Sequence, residues 1–407
     1  MKGLLVVGVS NRSAALELRE RLHVEPEECA ALASRLAGGG EAVVLSTCNR
    51  LEAYVAGDDL PAARARVKAE LSRRSGLTRD ELAAVLRVAE GDDASLHLFR
   101  VAAGLESPVP GEPQILGQVR EAHASGSAGP FLDRLFRRAV HAGRRVRTET
   151  ALGAPRASLG TAAAELALRE LGSLGGRRVL VVGAGRMGEA AAAGFAAGGA
   201  QVLVANRTLE RASALAARYG GHAVGVDAIA DALPDVDVVV SSTRSPGYVL
   251  TARELEERRH PLVLVDLAVP RDLDPAIGDL PHCRLHRLDD LVGVAPAAPA
   301  AEVARAETIV AEEVARFEEW RRSLEVVPAI VALRSRAESI RLAELARARR
   351  ELDALPERQR RLVEAVTAQI VNKLLHAPTV RTKAAAAGGD DSYAAVLEHL
   401  FALEVRS

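Results

Sequence analysis

Three things are scarce in this sequence: cysteine, long apolar runs and net charge. Cys29, Cys48 and Cys283 are its only cysteines, and their wide spacing predicts neither a disulfide framework nor a metal site. With 53 lysines and arginines against 54 aspartates and glutamates, the net charge is −1, so no overall field attracts a polyanion. We expect a protein of the reducing cytoplasm without a metal, in which a local patch binds any polyanionic partner.

Long apolar runs are missing as well. The longest, such as 179–182 and 262–265, have the length of a β-strand, and none approaches the ~20 residues of a membrane span. The apolar run after Lys2 ends at Ser10 without a cleavage site, which indicates a first strand and not a signal peptide. Because 407 residues are too many for one core, we expect two or three domains and no membrane anchor.

Strand and helix signals alternate in the first 90 residues in the order βαββαβ, which is the ferredoxin-like arrangement. Strands are predicted at 4–9, 42–46, 51–55 and 85–88, with helices at 26–36 and 61–75. Residues 92–150 are predicted to be helical, apart from an interruption at 104–117 that is rich in Gly and Pro. A further helix is predicted at 158–171.

Strands then alternate with helices up to residue 295, which predicts a parallel, doubly wound sheet. The strands are expected at 178–182, 201–205, 236–241 and 262–267. An Ala- and Pro-rich segment, 295–301, marks a boundary. Long charged helical patterns follow, with a flexible loop expected at 384–391; the helices are predicted at 301–325, 329–352 and 357–376.

We predict a multidomain α/β chain. A ferredoxin-like α+β catalytic domain is expected at 1–155, a Rossmann-type doubly wound cofactor domain at 156–295, and an all-helical domain at 296–407. Charges of both signs interleave along the last helices, which favours an oligomer interface; a monomeric helical bundle is the alternative.

The stretch Leu45–Arg50, which reads Leu-Ser-Thr-Cys-Asn-Arg, is the most informative of the chain. It places Cys48 in a polar turn between the second and third predicted strands, two residues before Arg50. A nearby guanidinium favours the thiolate, the form that attacks carbonyl carbon. The alternative is a small buried residue at a strand end.

A glycine-rich motif follows the strand 179–182 and begins a helix, as dinucleotide binding requires. Its residues are Gly183, Ala184, Gly185, Arg186, Met187 and Gly188. The next strand ends in Asn206, Arg207 and Thr208, where an acidic residue would bind an unmodified ribose. Because Arg207 suits a 2′-phosphate, NADP(H) is preferred over NAD(H).

Two further helices carry candidate binding residues. Pro113 is a good first helical residue after Glu112, and Gln114 and Gln118 share one helix face, so they could bind a polar amino-acid group. His97 is a candidate general acid. Six arginines between 134 and 147 lie opposite an apolar face and could contact phosphates. In each case, a solvated surface or a structural side chain is the alternative.

Taken together, these motifs resemble the glutamyl-tRNA reductase family over essentially the whole chain. Beyond the cysteine turn and the glycine motif, other blocks match in the same order. They are Gly8–Ala14, Leu18–Leu22, His97–Phe99, Gly104–Ser107, Gly111–Val119, Arg147–Thr150, Asp266–Arg271 and His376–Val380. Several blocks in the right order are far more specific than any one of them.

The resemblance implies an NADPH-dependent enzyme that reduces glutamyl-tRNA(Glu) to glutamate-1-semialdehyde. This is the first committed step of the C5 pathway of tetrapyrrole biosynthesis, which leads to 5-aminolevulinate, porphyrins and haem. Cys48 would attack the glutamyl ester and release tRNA, and hydride transfer to the resulting thioester would follow. The resemblance also implies a C-terminal dimerisation domain, a homodimer, and transfer of the product to glutamate-1-semialdehyde aminomutase.

Carried over by position, the resemblance assigns catalysis to Cys48 and His97; one role open to His97 is acid assistance to the leaving ribose oxygen. The implied substrate contacts are Thr47, Asn49, Arg50, Ser107, Glu112, Pro113, Gln114 and Gln118. The sequence departs from the family pattern at Pro108 and Pro110, which stiffen the loop after Ser107.

Two other functions stay open on the residues alone. One is an NADP-dependent dehydrogenase of a free small molecule, against which the Cys48 turn and the basic helix argue. The other is a non-catalytic regulator that binds tRNA or the aminomutase. Its expected signs, an altered Cys48 or a broken glycine motif, are not seen.

Overall fold

The computed structural model of the protein describes residues 3–126, 128–153, 158–294 and 298–403. The chain divides into two compact units, one ending at Glu313 and the other beginning at Val314. The domain boundaries predicted near 155 and 295 both lie outside the described residues.

The first sheet is antiparallel, with the strand order β2-β3-β1-β4. Its strands are β1 (Gly3–Ser10), β2 (Glu41–Thr47), β3 (Arg50–Gly57) and β4 (Arg87–Glu90). The helices that connect them are α1 (Leu16–Leu22), α2 (Pro26–Ala37), α3 (Leu60–Ser75) and α4 (Arg79–Val85). This order confirms the ferredoxin-like prediction. The seven-residue helices α1 and α4 were not expected, and Val85, predicted to begin a strand, ends α4.

Both faces of this sheet are covered. On one face, Leu5 and Val7 of β1 pack with apolar residues of α2 and α3. On the other face, Tyr54 of β3 meets Phe136 edge to face, with ring centroids 5.4 Å apart. The covering helices of this second face are α5 (Gly91–Ala102), α6 (Pro113–Ser125) and α7 (Pro130–Glu149). Because Pro113 begins α6, the interruption predicted to reach residue 117 ends at 112.

The second sheet is parallel, with the strand order β10-β9-β8-β5-β6-β7. Its strands are β5 (Arg178–Val182), β6 (Gln201–Ala205), β7 (His222–Val224), β8 (Val238–Ser241), β9 (Leu262–Asp266) and β10 (Cys283–Arg287). The α-helices of this region are α8 (Leu159–Leu171), α9 (Arg186–Ala197), α10 (Leu209–Arg218) and α11 (Ile229–Ala232). This is the dinucleotide-binding order, in which ligands bind where the winding reverses, here between β5 and β8.

The helices after residue 298 are α12 (Ala300–Ser323), α13 (Val327–Arg347), α14 (Arg349–Asp353), α15 (Glu357–Ala387) and α16 (Ser392–Leu400). Helix α15 is longer than predicted, so the loop expected at 384–391 is reduced to residues 388–391. A row of exposed apolar side chains, one every four residues, lies along α15: Leu362, Val366, Ile370 and Leu374. Within the described ranges, each helix is either too short or too polar to cross a bilayer.

Candidate active site

A cleft of about 300 Å³ opens between the turn after β2 and the carboxyl edge of the parallel sheet. Cys48 lines it from one side, together with Gln114 and Gln118 on one face of α6. Gly185 and Thr243 line it from the other side. The cysteine turn and the glycine motif, which are separated by more than a hundred residues in sequence, therefore face the same cavity.

The turn that carries Cys48 is held rigidly. Thr47 pairs with Arg50 across the hairpin, and Oγ1 of Thr47 accepts the backbone N–H groups of Asn49 and Arg50, each at 3.2 Å. The buried side chain of Arg19 donates from Nη1 to the carbonyl oxygen of Cys48 at 2.7 Å. Among the three cysteines, Cys48 is the partly exposed one, and the other two are buried. The fold thus fixes the backbone and presents this thiol at the cleft.

Burial, more than the neighbouring guanidinium groups, determines the pKa of the Cys48 thiol. Burial and the neighbouring charge of Glu112 raise the pKa of Cys48 to about 12, and Arg19 and Arg50 only partly offset this. Burial also raises the pKa of Glu112, to about 7, with Arg50 acting in the opposite direction. The predicted influence of Arg50 on the thiol has the expected direction, but burial outweighs it, because Arg50 lies within a network of its own.

That network centres on Glu52, a residue that the sequence did not single out. Arg50 donates from Nη1 to Oε1 of Glu52 at 2.9 Å, and Tyr54 donates its hydroxyl to Oε2 at 2.7 Å. Nε2 of His97 lies 2.9 Å from the same Oε1. Burial opposes ionisation of Glu52, but Arg50 and His97 outweigh it and lower its pKa to about 2. Arg50 also donates from Nη2 to the carbonyl oxygen of Glu106 at 2.6 Å.

Several buried polar atoms in and behind the cleft have no hydrogen-bond partner within the part of the chain that the structure describes. Nδ1 of His23 and Oγ of Ser242 belong to residues that line the cleft, whereas Oδ1 of Asn49, Nε of Arg50 and Nδ1 of His97 belong to residues outside its lining. An unpaired buried polar atom is unfavourable, so atoms clustered in this way indicate a site that a polar ligand completes. Asn49 and Arg50 were both predicted from the sequence to contact the substrate.

The remaining predicted substrate residues are not all at the cleft. Glu112 is buried and close enough to Cys48 for its charge to affect the thiol. Ser107 is buried in the turns that precede α6, where its N–H donates to the carbonyl oxygen of Gly104. His97 does not line the cleft but lies behind Arg50, and Pro113 lines a second cavity on the other side of α6.

The glycine motif has the geometry of a dinucleotide loop. Gly183 has φ +107°, a left-handed value that favours glycine, and a Cβ at Gly188 would lie 2.0 Å from the carbonyl oxygen of Gly183. A Cβ at Gly185, by contrast, would meet nothing within 4 Å, so the backbone there is open to a ligand. Arg186 begins α9, whose free N–H groups suit a pyrophosphate.

At the end of β6, the structure places the three residues predicted to surround the adenosine ribose. Oδ1 of Asn206 accepts the N–H of Ala184 at 3.4 Å, which ties this strand end to the glycine loop. Arg207 is exposed and forms no ion pair with a described carboxylate, and Thr208 is the N-cap of α10. An available guanidinium at this position is compatible with a 2′-phosphate.

Asp272 is a second residue that the sequence did not single out. It accepts hydrogen bonds from the hydroxyls of Ser241 and Thr243, both at 2.6 Å, at the carboxyl edge of the sheet. Asp266 accepts the N–H groups of Ala268 and Leu273, and burial raises its pKa to about 7. These carboxylates order the loops around the cleft. Among the described residues, no group of three His, Cys, Asp or Glu side chains could hold a metal ion.

Comparison with known proteins identifies the family of the chain. Residues 7–150 match the family model of the glutamyl-tRNA(Glu) reductase N-terminal domain, and 305–403 match that of the dimerisation domain of the same enzyme. Residues 165–294 match the shikimate/quinate 5-dehydrogenase model. The glutamyl-tRNA reductase of Citrifermentans bemidjiense is 39% identical, with 99% of this chain and 96% of that protein covered. The chain belongs to the glutamyl-tRNA reductase family.

Other relatives agree. The glutamyl-tRNA reductase of Geobacillus kaustophilus is 41% identical and covers 97% of this chain and 90% of its own length. A solved glutamyl-tRNA reductase from Methanopyrus kandleri is 33% identical over 97% of this chain and 99% of its own, with a TM-score of 0.46. Membership confirms the predicted multidomain α/β fold and the oxidoreductase activity, and it supports a nicotinamide cofactor and a homodimer.

Proposed function

We propose that the protein reduces glutamyl-tRNA(Glu) to glutamate-1-semialdehyde with NADPH and releases tRNA, through a thioester on Cys48. The observation that carries this proposal is the shared cleft, in which the cysteine turn and the glycine motif face each other. Acyl transfer needs the sulfur and reduction needs a bound nicotinamide, so one cavity serves both steps. The reaction is the first committed step of C5-pathway tetrapyrrole biosynthesis.

In the first step, the sulfur of Cys48 bonds to the glutamyl carbonyl carbon, and the ester bond to the terminal ribose of tRNA breaks. Because the thiol is protonated, its proton must move before or during attack. Glu112 is the acceptor that we assign, since its pKa of about 7 lets it take a proton near neutrality and return it to the leaving ribose oxygen.

The amino-acid part of the substrate is held, in this proposal, by the side chains around the turn. The unpaired atoms of Asn49 and Arg50 satisfy the polar groups of the glutamyl moiety, while Gln114 and Gln118 contribute amides from α6. Thr47 fixes the turn through its hydroxyl, and Ser107 and Pro113 set the loop and helix that bear Glu112.

His97 acts in this proposal as a positioning residue. Its Nε2 contacts Glu52, and Glu52 orients Arg50, so the imidazole reaches the substrate pocket through two other side chains. This replaces the role considered from the sequence, acid assistance to the leaving oxygen. His97 is buried and does not line the cleft, so its position is better suited to supporting Arg50 than to transferring a proton to the ribose.

NADPH is assigned to the parallel sheet, where it supplies the hydride that reduces the thioester. The turn Gly183–Gly188, which includes Ala184 and Met187, would hold the pyrophosphate of the cofactor. Arg207, flanked by Asn206 and Thr208, would bind the 2′-phosphate. We expect Arg207→Ala to raise the Michaelis constant for NADPH about tenfold and leave that for NADH unchanged. An equal effect on both cofactors would remove the basis for the NADPH preference.

The partners that we propose follow from the family. The chain acts as a homodimer through its C-terminal helices, and the unstable aldehyde passes to glutamate-1-semialdehyde aminomutase. Cytoplasmic localisation suits the three unpaired cysteines, which a reducing compartment would leave as thiols.

Single-turnover incubation with glutamyl-tRNA(Glu), with and without NADPH, tests the function. We expect the aldehyde with cofactor, and without it an acyl-enzyme on Cys48 or free glutamate. Cys48→Ser should abolish all three, while Cys283→Ser, the matched change at a buried thiol, should leave them intact. Aldehyde formation by the Cys48→Ser variant would refute the nucleophile assignment.

A further inference from the structure

A second cavity, of about 170 Å³, lies on the opposite side of α6 from the cleft. It is several times larger than the ~30 Å³ that a water molecule occupies in the liquid, so it has room for a phosphate group. Arginines from three helices line it: Arg120 from α6, Arg144 and Arg147 from α7, and Arg186 from the start of α9. We call this cavity the arginine pocket.

The arginine pocket has no counter-charge among the residues that the structure describes. No described carboxylate forms an ion pair with any of the four arginines, whereas neighbouring arginines of α7 are paired. Arg145 contacts Glu149, Glu312 and Glu313, and Arg137 contacts Asp133. The arginines of this helix were treated as one group in the sequence. In the structure, Arg144 and Arg147 face the cavity, whereas others of the group form ion pairs.

Arg147 forms the inner wall of the arginine pocket. It is half-buried and donates from Nη2 to the carbonyl oxygens of Glu112 and Pro113. Burial, and then the charge of Arg186, lower its pKa, as expected where like charges meet without a counter-ion. The three other arginines are exposed, with guanidinium groups available to a ligand.

The arginine pocket and the catalytic cleft lie back to back across the first turns of α6. Gln114 and Gln118 line the cleft, whereas Pro113 and Gly117 line the arginine pocket, and Arg186 lines both. A Cβ at Gly117 would lie 2.8 Å from Nη1 of Arg186, so this guanidinium packs directly on the helix. A ligand in the pocket is thus separated from the Cys48 cleft by the width of one helix.

We propose that the arginine pocket binds a backbone phosphate of the tRNA acceptor end, with Arg120, Arg144 and Arg186 as its ligands. This inference rests on the proposed function, because the glutamyl ester at Cys48 is attached to the terminal ribose, whose own phosphate must lie within one nucleotide of the cleft. Guanidinium groups bind phosphate oxygens through paired, charge-assisted hydrogen bonds.

The position of the pocket favours tRNA over the cofactor as the source of the phosphate. Seven of its eight lining residues belong to α6 and α7, on the side of the cleft that carries Cys48. Arg186 is the one contribution from the glycine motif, and the cofactor phosphates have their own sites at the N-terminus of α9 and at Arg207. Net charge near zero also requires a local patch of this kind to bind nucleic acid.

Binding of uncharged tRNA(Glu), followed by fluorescence anisotropy at several salt concentrations, tests the pocket without requiring catalysis. For Arg120→Ala and Arg144→Ala, we expect the Kd to rise about tenfold each, with a salt slope smaller by about one per lost contact. Arg137→Ala is the matched control, an arginine of α7 outside the pocket and paired with Asp133; it should change Kd less than twofold. Calorimetric binding of NADPH should be unchanged in all three variants.

A tRNA shortened by its 3′-terminal nucleotides locates the contact. It should bind the wild-type protein and the Arg120→Ala/Arg144→Ala variant with similar Kd, because the phosphate in question is gone. Three outcomes would each overturn the proposal. They are weaker NADPH binding by the pocket variants, a loss of tRNA affinity in Arg137→Ala equal to that in the pocket variants, and a loss of tRNA affinity that remains complete with the shortened tRNA. Wild-type protein that binds tRNA through these arginines but forms no aldehyde would refute the proposed function alone.

Discussion

The protonation state of Cys48 makes a quantitative prediction about its reactivity. Raising a thiol pKa from 9.0 to about 12 lowers its thiolate fraction. At pH 8 the fraction falls from about 10% to about 0.01%, roughly a thousandfold. Because the thiolate is the reactive form, alkylation of Cys48 by iodoacetamide should keep rising about tenfold per pH unit up to pH 10, without a plateau.

Glu112 should control part of this effect. It is ionised above a pH of about 7, and its negative charge then opposes the thiolate. Replacing Glu112 by glutamine should speed alkylation about tenfold at pH 8.5. This corresponds to a change of about one pKa unit, the lower end of the shifts that a nearby charge causes. At pH 6 the carboxyl is protonated in the wild-type protein as well, so the two rates should converge.

The assay uses a Cys29→Ala/Cys283→Ala background, in which Cys48 is the one remaining thiol, and mass spectrometry follows the adduct. Glu121→Gln is the matched control, because Glu121 lines the same cleft but is not among the main causes of the shift of Cys48. Limited access slows alkylation equally at every pH, so the pH dependence and not the absolute rate is the readout. A plateau near pH 9, or a Glu112→Gln effect that is the same at pH 6 and 8.5, would refute this reasoning.

Three further perturbations test other parts of the structure. Glu52→Gln should lower the free energy of unfolding by about 3 kcal/mol at pH 7, because it leaves the Arg50 charge buried and unpaired. The pKa of Glu52 is about 2, so the difference in unfolding free energy, measured by urea denaturation, should shrink as the pH falls from 4.5 toward 2. Gly185→Ala should keep the wild-type Tm but weaken calorimetric NADPH binding at least tenfold, as its Cβ meets only the space assigned to the cofactor; unchanged binding would count against a pyrophosphate there. Ile370→Glu, on the exposed apolar row of α15, should convert the dimer to monomer by light scattering, and a persistent dimer would place the interface elsewhere.

The central strands were predictable because burial on both faces produces a continuous apolar run. The segment Val179–Val182 is such a run, and β5 (Arg178–Val182) was predicted with both ends correct. The edge strands β7 and β10 were missed for the opposite reason. His222–Val224 has three residues, and Cys283–Arg287 is mainly polar and partly exposed, so neither carries a strand pattern.

The cysteine turn was predictable from its sequence, but the network behind it was not. Leu51, Ala53 and Val55 alternate with Glu52 and Tyr54, the pattern of a strand with one apolar and one polar face. Nothing local shows that α5 and α7 cover the polar face and bury the carboxylate. The two-residue spacing of Cys48 and Arg50 likewise suggested a stabilised thiolate. The guanidinium does lower the pKa of the thiol, but it is bonded to Glu52, two residues along the same strand, and burial outweighs its effect.

A protonated thiol in an open cleft is consistent with the chemistry proposed for it. The sulfur that is hard to ionise is also the stronger nucleophile once ionised, and in the resting protein it resists oxidation and stray electrophiles. In the proposed reaction, the unpaired atoms of Asn49 and Arg50 link reactivity to recognition, because a glutamyl group would satisfy them and a different acyl group would leave them buried without partners. We therefore expect burial to lower the basal reactivity of Cys48 and, by the same desolvation, to make the correct substrate the condition for acylation.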